Sequence, residues 1–399
     1  MHIINGVVEI GKKIIKSRTK IKLSLNVFPV FAVIIIILSV YASGYSVIPE
    51  KFIYISSLFA MPEGFLYKIS LVKDDFISKF KVENKAEIIQ NGGSINDLIK
   101  FHNVSDLTVT PDDIVRNTEK YKKIYNSEKY ESDGTVVEKT FTDDQSTDSF
   151  GNVYVRNVTE DSQIDVESMI NAGCFLPVES NDKPVVLIYH THTTESYIPV
   201  SDGSFSSDYP TRNDDKNVNM VRVGEEIVSV LESKGIGVIH DKTIYDSKYN
   251  GAYDKSREGV TKILEKNPSI VITLDIHRDA VYYDSSTRVK PATEIDGKKA
   301  AQMMIIAGAE GGNISSFPDW QTNLSFAVNL QKEINDRYPN LMKPIYFCNR
   351  KYNMDITPYS LLVEMGTDVN TIEEAAFSGR LLGDVLADYI KNNITGAEK

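Results

Sequence analysis

The chain has 399 residues, a formal net charge of −11 and two cysteines. That length suits one large catalytic domain with accessories, and the acidic balance speaks against nucleic acid, whose phosphates call for a basic surface. Two thiols, Cys174 and Cys348, cannot build a disulfide framework; they either form one bridge or stay as unpaired core thiols, so a metal site must come from His and carboxylates.

Residues 1–22 carry six basic side chains (Lys12, Lys13, Lys16, Arg18, Lys20, Lys22) against one acid, Glu9. The stretch LSLNVFPVFAVIIIILSVYASGY that follows, 23–45, has about the length a helix needs to cross hydrocarbon. The basic flank predicts a cytoplasmic N-terminus and an extracytoplasmic remainder. A cleaved signal peptide is the rival, since Val40 and Ala42 fit a small-residue cleavage pattern. The apolar run exceeds the usual signal core, which favours an uncut anchor.

Residues 46–180 read as a membrane-proximal region and stalk. SVIPEKFIYISSLFAMPEGFLYKISLV is apolar but interrupted by Pro49 and Pro62, and DDQSTDSFGN and TEDSQIDVES typify a polar stretch with little core of its own. The pattern changes in residues 181–399, read as a catalytic domain. PVVLIY predicts a strand, NVNMVRVGEEIVSVLESKG a helix stopped at Gly235, IGVIH a strand, YDKSREGVTKILEKNP a helix, and SIVITLDIH and AAQMMIIAGA strands. NLSFAVNLQKEINDRYP is a helix, PIYFC and SLLVEM are strands, and TIEEAAFSGRLLGDVLADYIKN is a closing helix with Thr371 and Glu374 spaced as a capping box. Alternating strands and helices predict an α/β domain, a mostly parallel sheet flanked by helices on both faces. Ligands in such sheets sit at the carboxyl ends of the strands.

Three strand ends carry polar groups of the right chemistry: VVLIYHTHTTE, IVITLDIHRDA and SLLVEMGTD. They supply His190, His192, Glu195, His277 and Glu364, with His240 at the end of IGVIH a weaker member. Two imidazoles, a carboxylate and an open position make the ligand set of a catalytic zinc. A second carboxylate must then move the proton from water to the leaving amine, and Glu364 is the candidate. Singly, each residue has an ordinary reading: His277 a hydrogen-bonded strand end, Glu364 a helix cap or a partner of Arg278. Their coincidence at three strand ends favours the joint one. Asp275 and Asp279 flank His277 and could fix its tautomer, while Arg278 suits a salt bridge or a substrate carboxylate. No GxSxG occurs, which weakens a serine-hydrolase reading.

LIYHTHTTESY, NVNMVRVGEEI, LDIHRDA, YNMDITPYSLLVEMGTDVNTIEEA and the N-terminal anchor together resemble the stage II sporulation protein P family of endospore-forming bacteria. The resemblance spans about Pro184 to the C-terminus, plus the anchor. It implies an amidase/carboxypeptidase-like fold and a zinc-dependent cell-wall hydrolase of the engulfing mother-cell membrane. Such an enzyme cleaves the amide between N-acetylmuramic acid and L-alanine, acts as an endopeptidase on peptide cross-links, and works with stage II sporulation proteins D and M. Carried over from zinc-dependent N-acetylmuramoyl-L-alanine amidases, the pattern assigns His192 and His277 as metal ligands and Glu364 as catalytic acid/base. The middle ligand departs from it: the amidase position falls near Asp215, whereas Glu195 resembles the HxxE pair of zinc carboxypeptidases. Glu195 is taken as the third ligand, with Asp215 its rival and His190 the alternative to His192. The competing class is a metal-free wall-binding or scaffolding module on the same fold.

Overall fold

The apolar runs between residues 184 and 392 form strands and helices in the computed structural model, which describes residues 112–128, 130–160, 162–179 and 183–395. The basic segment and the predicted anchor at 23–45 lie outside the described residues. Among those described, no helix is long and apolar enough to cross a membrane. The chain begins with α1 (Asp112–Glu128), β1 (Gly134–Lys139), β2 (Asp148–Phe150), β3 (Val153–Asn157) and α2 (Val166–Ala172). It continues through β4 (Val186–Tyr189), β5 (Ser204–Phe205), α3 (Met220–Ser233), β6 (Val238–His240), α4 (Ala252–Lys266) and β7 (Ile272–Asp279). Then come β8 (Tyr282–Asp284), β9 (Thr287–Ile295), β10 (Lys298–Ala301) and β11 (Met303–Gly308). The last elements are α5 (Trp320–Arg337), β12 (Ile345–Cys348), β13 (Ser360–Thr367) and α6 (Ile372–Asn392).

An eight-stranded sheet in the order β2-β3-β12-β11-β13-β7-β4-β6 carries the core. β6, β4, β7 and β13 run parallel to one another, as do β11, β12 and β3. At the junction, β11 runs against β13, and at the edge β2 runs against β3. The expected mostly parallel sheet is thus a mixed one. The cause is the route between β7 and β11, which passes through strands rather than a crossover helix. β9 and β10 form a hairpin around Asp296 and Gly297, both at positive φ (49° and 74°), and β10 leads through Gln302 directly into β11. This hairpin belongs to a second sheet, β10-β9-β1-β5 with β8 on β9, which is not among the predicted elements.

β1, β2, β3 and α2 come from the stretch whose composition suggested a stalk. β3 buries Val153 and Val155 and pairs with β12, and β1 lies between β9 and β5. Leu176 is fully buried and bridges to Ile394 beyond the closing helix. These strands are polar because their outward residues stay in water, not because they lack a core.

Alternation along the strands sorts the two faces. Val186 and Ile188 of β4 and Ile272, Leu274 and Ile276 of β7 join the main core with α3, α5 and α6. Leu187 and Tyr189 point the other way, against Val260 and neighbouring residues of α4. Helices therefore cover both faces. α3 starts on Asn219, whose side chain accepts from Val221 N, and α6 on the Thr371–Glu374 capping box. Cys174 and Cys348 are buried and unbridged, and burial pushes the Cys348 thiol up to about 12, which leaves it inert.

Candidate metal centre

Past Tyr189 the chain leaves β4 in a single turn. Glu195 N donates to His192 O at 3.1 Å, Thr193 Oγ1 to His190 O, and Thr194 N and Oγ1 to Asp246. The alternation of β4 carries on to His190, which stays on the α3 side with Val186 and Ile188. The turn then brings His192 to the opposite side. There its ring stands 5.3 Å from that of His277, centroid to centroid and nearly perpendicular. Glu364 joins through register, since β13 pairs with β7 in parallel and Glu364 lies opposite His277. A bulge follows at Gly366, whose φ of 74° is one that glycine adopts without penalty.

His192, Glu195, His277 and Glu364 are brought together and are all buried. Glu195 Oε2 lies 3.6 Å from His277 Nδ1. On the far side of the ring, Nε2 lies 2.8 Å from Asp275 Oδ1, at ion-pair distance though off the N–H axis. Asp275 is itself fixed by Thr191 N and Oγ1. Burial pushes the His277 imidazole down, but Asp275 and Glu195 more than reverse this and hold it well above its usual value. Burial raises the Glu195 carboxyl, and His277, Arg278 and His192 overcome that and hold it far below the usual range. Glu364 goes the other way, raised well above by burial and by the Asp279 carboxylate. Burial lowers His192 to about 4.

The donor set fits a borderline cation such as zinc. Both ring nitrogens of His192 are buried without a hydrogen-bond partner, and so is Glu364 Oε2. Orphaned buried polar atoms are rare and call for a cause. Two ligands on one tetrahedral ion with bonds of about 2.1 Å stand about 3.4 Å apart, close to the 3.6 Å between His277 Nδ1 and Glu195 Oε2. Among the described residues, no group of three His, Cys, Asp or Glu side chains is placed as it stands to hold a metal ion.

Several other candidates lie elsewhere. His190 Nδ1 donates to Ile276 O (3.0 Å) and its Nε2 shares a hydrogen bond with His240 Nε2 (2.9 Å), which leaves it no part at the centre. His240 is the second member of that pair. The two rings lie over Gly224 of α3, where a Cβ would meet them at 2.5 and 2.8 Å. Gly224→Ala is accordingly expected to cost about 1–3 kcal/mol by overpacking, and an unchanged denaturation midpoint would contradict this placement of the imidazole pair. Asp215 accepts from Tyr121 Oη and Asn217 N, bracing the turn before α3. Arg278 spends its guanidinium on the carbonyls of Ser196, Thr211 and Asp279, so it is not free for a substrate carboxylate. Asp279 pairs with Lys343 at 3.2 Å and acts on Glu364 rather than on His277's tautomer.

Sequence reasoning missed the residues that surround the centre. Arg212 bonds both Glu195 and Asp246. Tyr249 stacks on His192 at 4.9 Å, Tyr253 packs edge-on to His192 at 5.5 Å, and Tyr352 leans on Tyr253 at 5.4 Å. None sits at the end of an apolar strand. For Arg212, the readable signal was a cation within twenty residues of a buried carboxylate, which is too common to select it.

A family model described as Stage II sporulation protein P matches residues 84–387. The Stage II sporulation protein P of Bacillus subtilis (strain 168) is 34% identical over 222 residues, 52% of this chain and 52% of that protein. The chain thus matches about half the length of that relative. Among solved structures, the N-acetylmuramoyl-L-alanine amidase AmiC2 of Nostoc punctiforme is similar over 54% of this chain and 98% of its own, at 12% identity and a TM-score of 0.29. The CwlD amidase from Clostridioides difficile, in complex with the GerS lipoprotein, is similar over 52% and 99%, at 14% identity and a TM-score of 0.32. Scores this low carry no weight for this chain, whose fold rests on its own strand order.

Proposed function

The chain belongs to the stage II sporulation protein P family, and from that premise we propose that it is a membrane-anchored, zinc-dependent peptidoglycan hydrolase. Its reaction is cleavage of the amide between N-acetylmuramic acid and L-alanine, with endopeptidase action on peptide cross-links, in septal-wall remodelling and engulfment during sporulation. The observation that carries the proposal is the convergence of His192, Glu195 and His277 beside a buried Glu364 with a raised pKa.

His192, Glu195 and His277 would hold the ion. Asp275 behind His277 and Asp246, 3.9 Å from His192 Nδ1, would orient the two rings. Zinc bound there supplies Lewis acidity toward a carbonyl oxygen and toward water. The proton work falls to Glu364. An amine leaves an amide only when protonated, and a carboxyl held above its ordinary range can, once ionised, take a proton from attacking water and return it to the leaving nitrogen. Its Oε2 has no other partner to release first. Tyr249, Tyr253 and Tyr352 wall the approach and limit bulk water around the centre.

The anchor at 23–45 would hold the catalytic part outside the cytoplasm on the engulfing mother-cell membrane. The family resemblance supports stage II sporulation proteins D and M as partners there. The purified full chain should release stem peptides from sacculi, stop when a chelator is added and resume with zinc. Binding to sacculi without peptide release, by protein that takes up no zinc, would favour the scaffolding reading instead.

A further inference from the structure

Glu195 lies in a short antiparallel ladder. It pairs with Arg212, and the neighbouring bonds run from Ser196 N to Thr211 O (3.0 Å) and from Asn213 N to Thr194 O (2.7 Å). Arg278 bolts the same ladder through Ser196 O and Thr211 O. Residues directly opposite in such a ladder put their side chains side by side, so backbone register places the Arg212 guanidinium beside the Glu195 carboxylate. Its Nη2 reaches Glu195 Oε1 at 3.3 Å, and its Nη1 reaches Asp246 Oδ2 at 2.6 Å. Asp246 is held by Thr194 N and Oγ1 and stands 3.9 Å from His192 Nδ1. The Arg212 guanidinium also lies over Tyr249, 5.0 Å from its centroid, and Tyr249 is stacked on His192.

One half-exposed side chain thus touches both Asp246 and Tyr249, the two neighbours of His192, and one oxygen of Glu195. Glu195 Oε1 is taken by Arg212. Oε2 is turned toward His277 Nδ1, with only the Arg278 N–H near it at 3.3 Å. We propose that Arg212 is a positioning residue that makes Glu195 a one-oxygen ligand, reserving a coordination position on the ion for water and substrate. The proposal rests on the assignment of His192, Glu195 and His277 as metal ligands. Without Arg212, the freed Oε1 closes on the ion as well, and the open position is filled by the protein.

Cobalt(II) placed in the full-length protein reads this directly, because four-coordinate cobalt absorbs visible light strongly and five- or six-coordinate cobalt weakly. Wild-type protein should give strong bands. Arg212→Ala should lose most of that intensity while still binding the ion. Arg212→Lys keeps the charge opposite Asp246 but lacks the planar fork, and it should show the same loss of intensity. It decides the matter if the alanine variant does not fold. Wild-type spectra in the folded variants overturn the role of Arg212. A wild-type protein that takes up no cobalt sinks the ligand assignment itself, and this proposal with it.

Discussion

Replacing Glu364 by Gln is expected to slow peptide release by ~10²–10⁴-fold while leaving the amount of bound zinc unchanged. The position follows from β13 register beside His277, so an isosteric amide should occupy it without moving the ligands. What the amide lacks is a proton it can take up and surrender. Stability should not fall, because burial and Asp279 favour the uncharged form of this side chain, and Gln is uncharged throughout. Zinc content by mass spectrometry, the melting midpoint and peptide release, measured on one preparation, check all three statements. Release at the wild-type rate would remove Glu364 from the chemistry.

His192→Ala is expected to abolish zinc binding and peptide release together, yet to alter the metal-free protein little. Both of its ring nitrogens are buried without a partner, so truncation breaks no hydrogen bond and removes an unsatisfied polar group. The loss of contact with Tyr249 and Tyr253 works against that gain. The two effects should leave the metal-free midpoint within about 1 kcal/mol of wild type, on the scale of a single hydrogen bond. Zinc at a hundred times its Kd should stabilise the wild type by about 2.7 kcal/mol and the variant not at all. A variant still stabilised by zinc would show that the ion sits elsewhere.

The apolar runs of β4, β7 and β13 were legible because each is long, buried and sharply bounded. Reading polar groups at their carboxyl ends narrowed the field to His190, His192, Glu195, His277 and Glu364, and the family resemblance set His192 before His190; the structure brings the four without His190 together. Sheet direction was not legible. Met303–Gly308 is an apolar run like the others, and no pattern in such a run says which way it will lie. The Asp296–Gly297 turn just before it was the available clue to a hairpin. β1 and β3 were missed for another reason: strands with one wet face dilute their apolar residues, so Val153 and Val155 vanish into a polar average. His190 could have been separated from His192 by counting faces outward from Val186, had the end of β4 been known. Arg212 acts through backbone register, which composition does not express.

That same register couples distant parts of the chain. β1 pairs with β9, β3 with β12, and Leu176 with Ile394, so early strands find their neighbours only when late ones exist. Contacts this far apart in sequence slow folding, because the loop must close before anything rewards it. A nascent molecule lacking α6 would hold a half-covered core, a sticky species that invites aggregation or chaperone capture. Maturation should therefore be governed less by chemistry at the centre than by the arrival of α6.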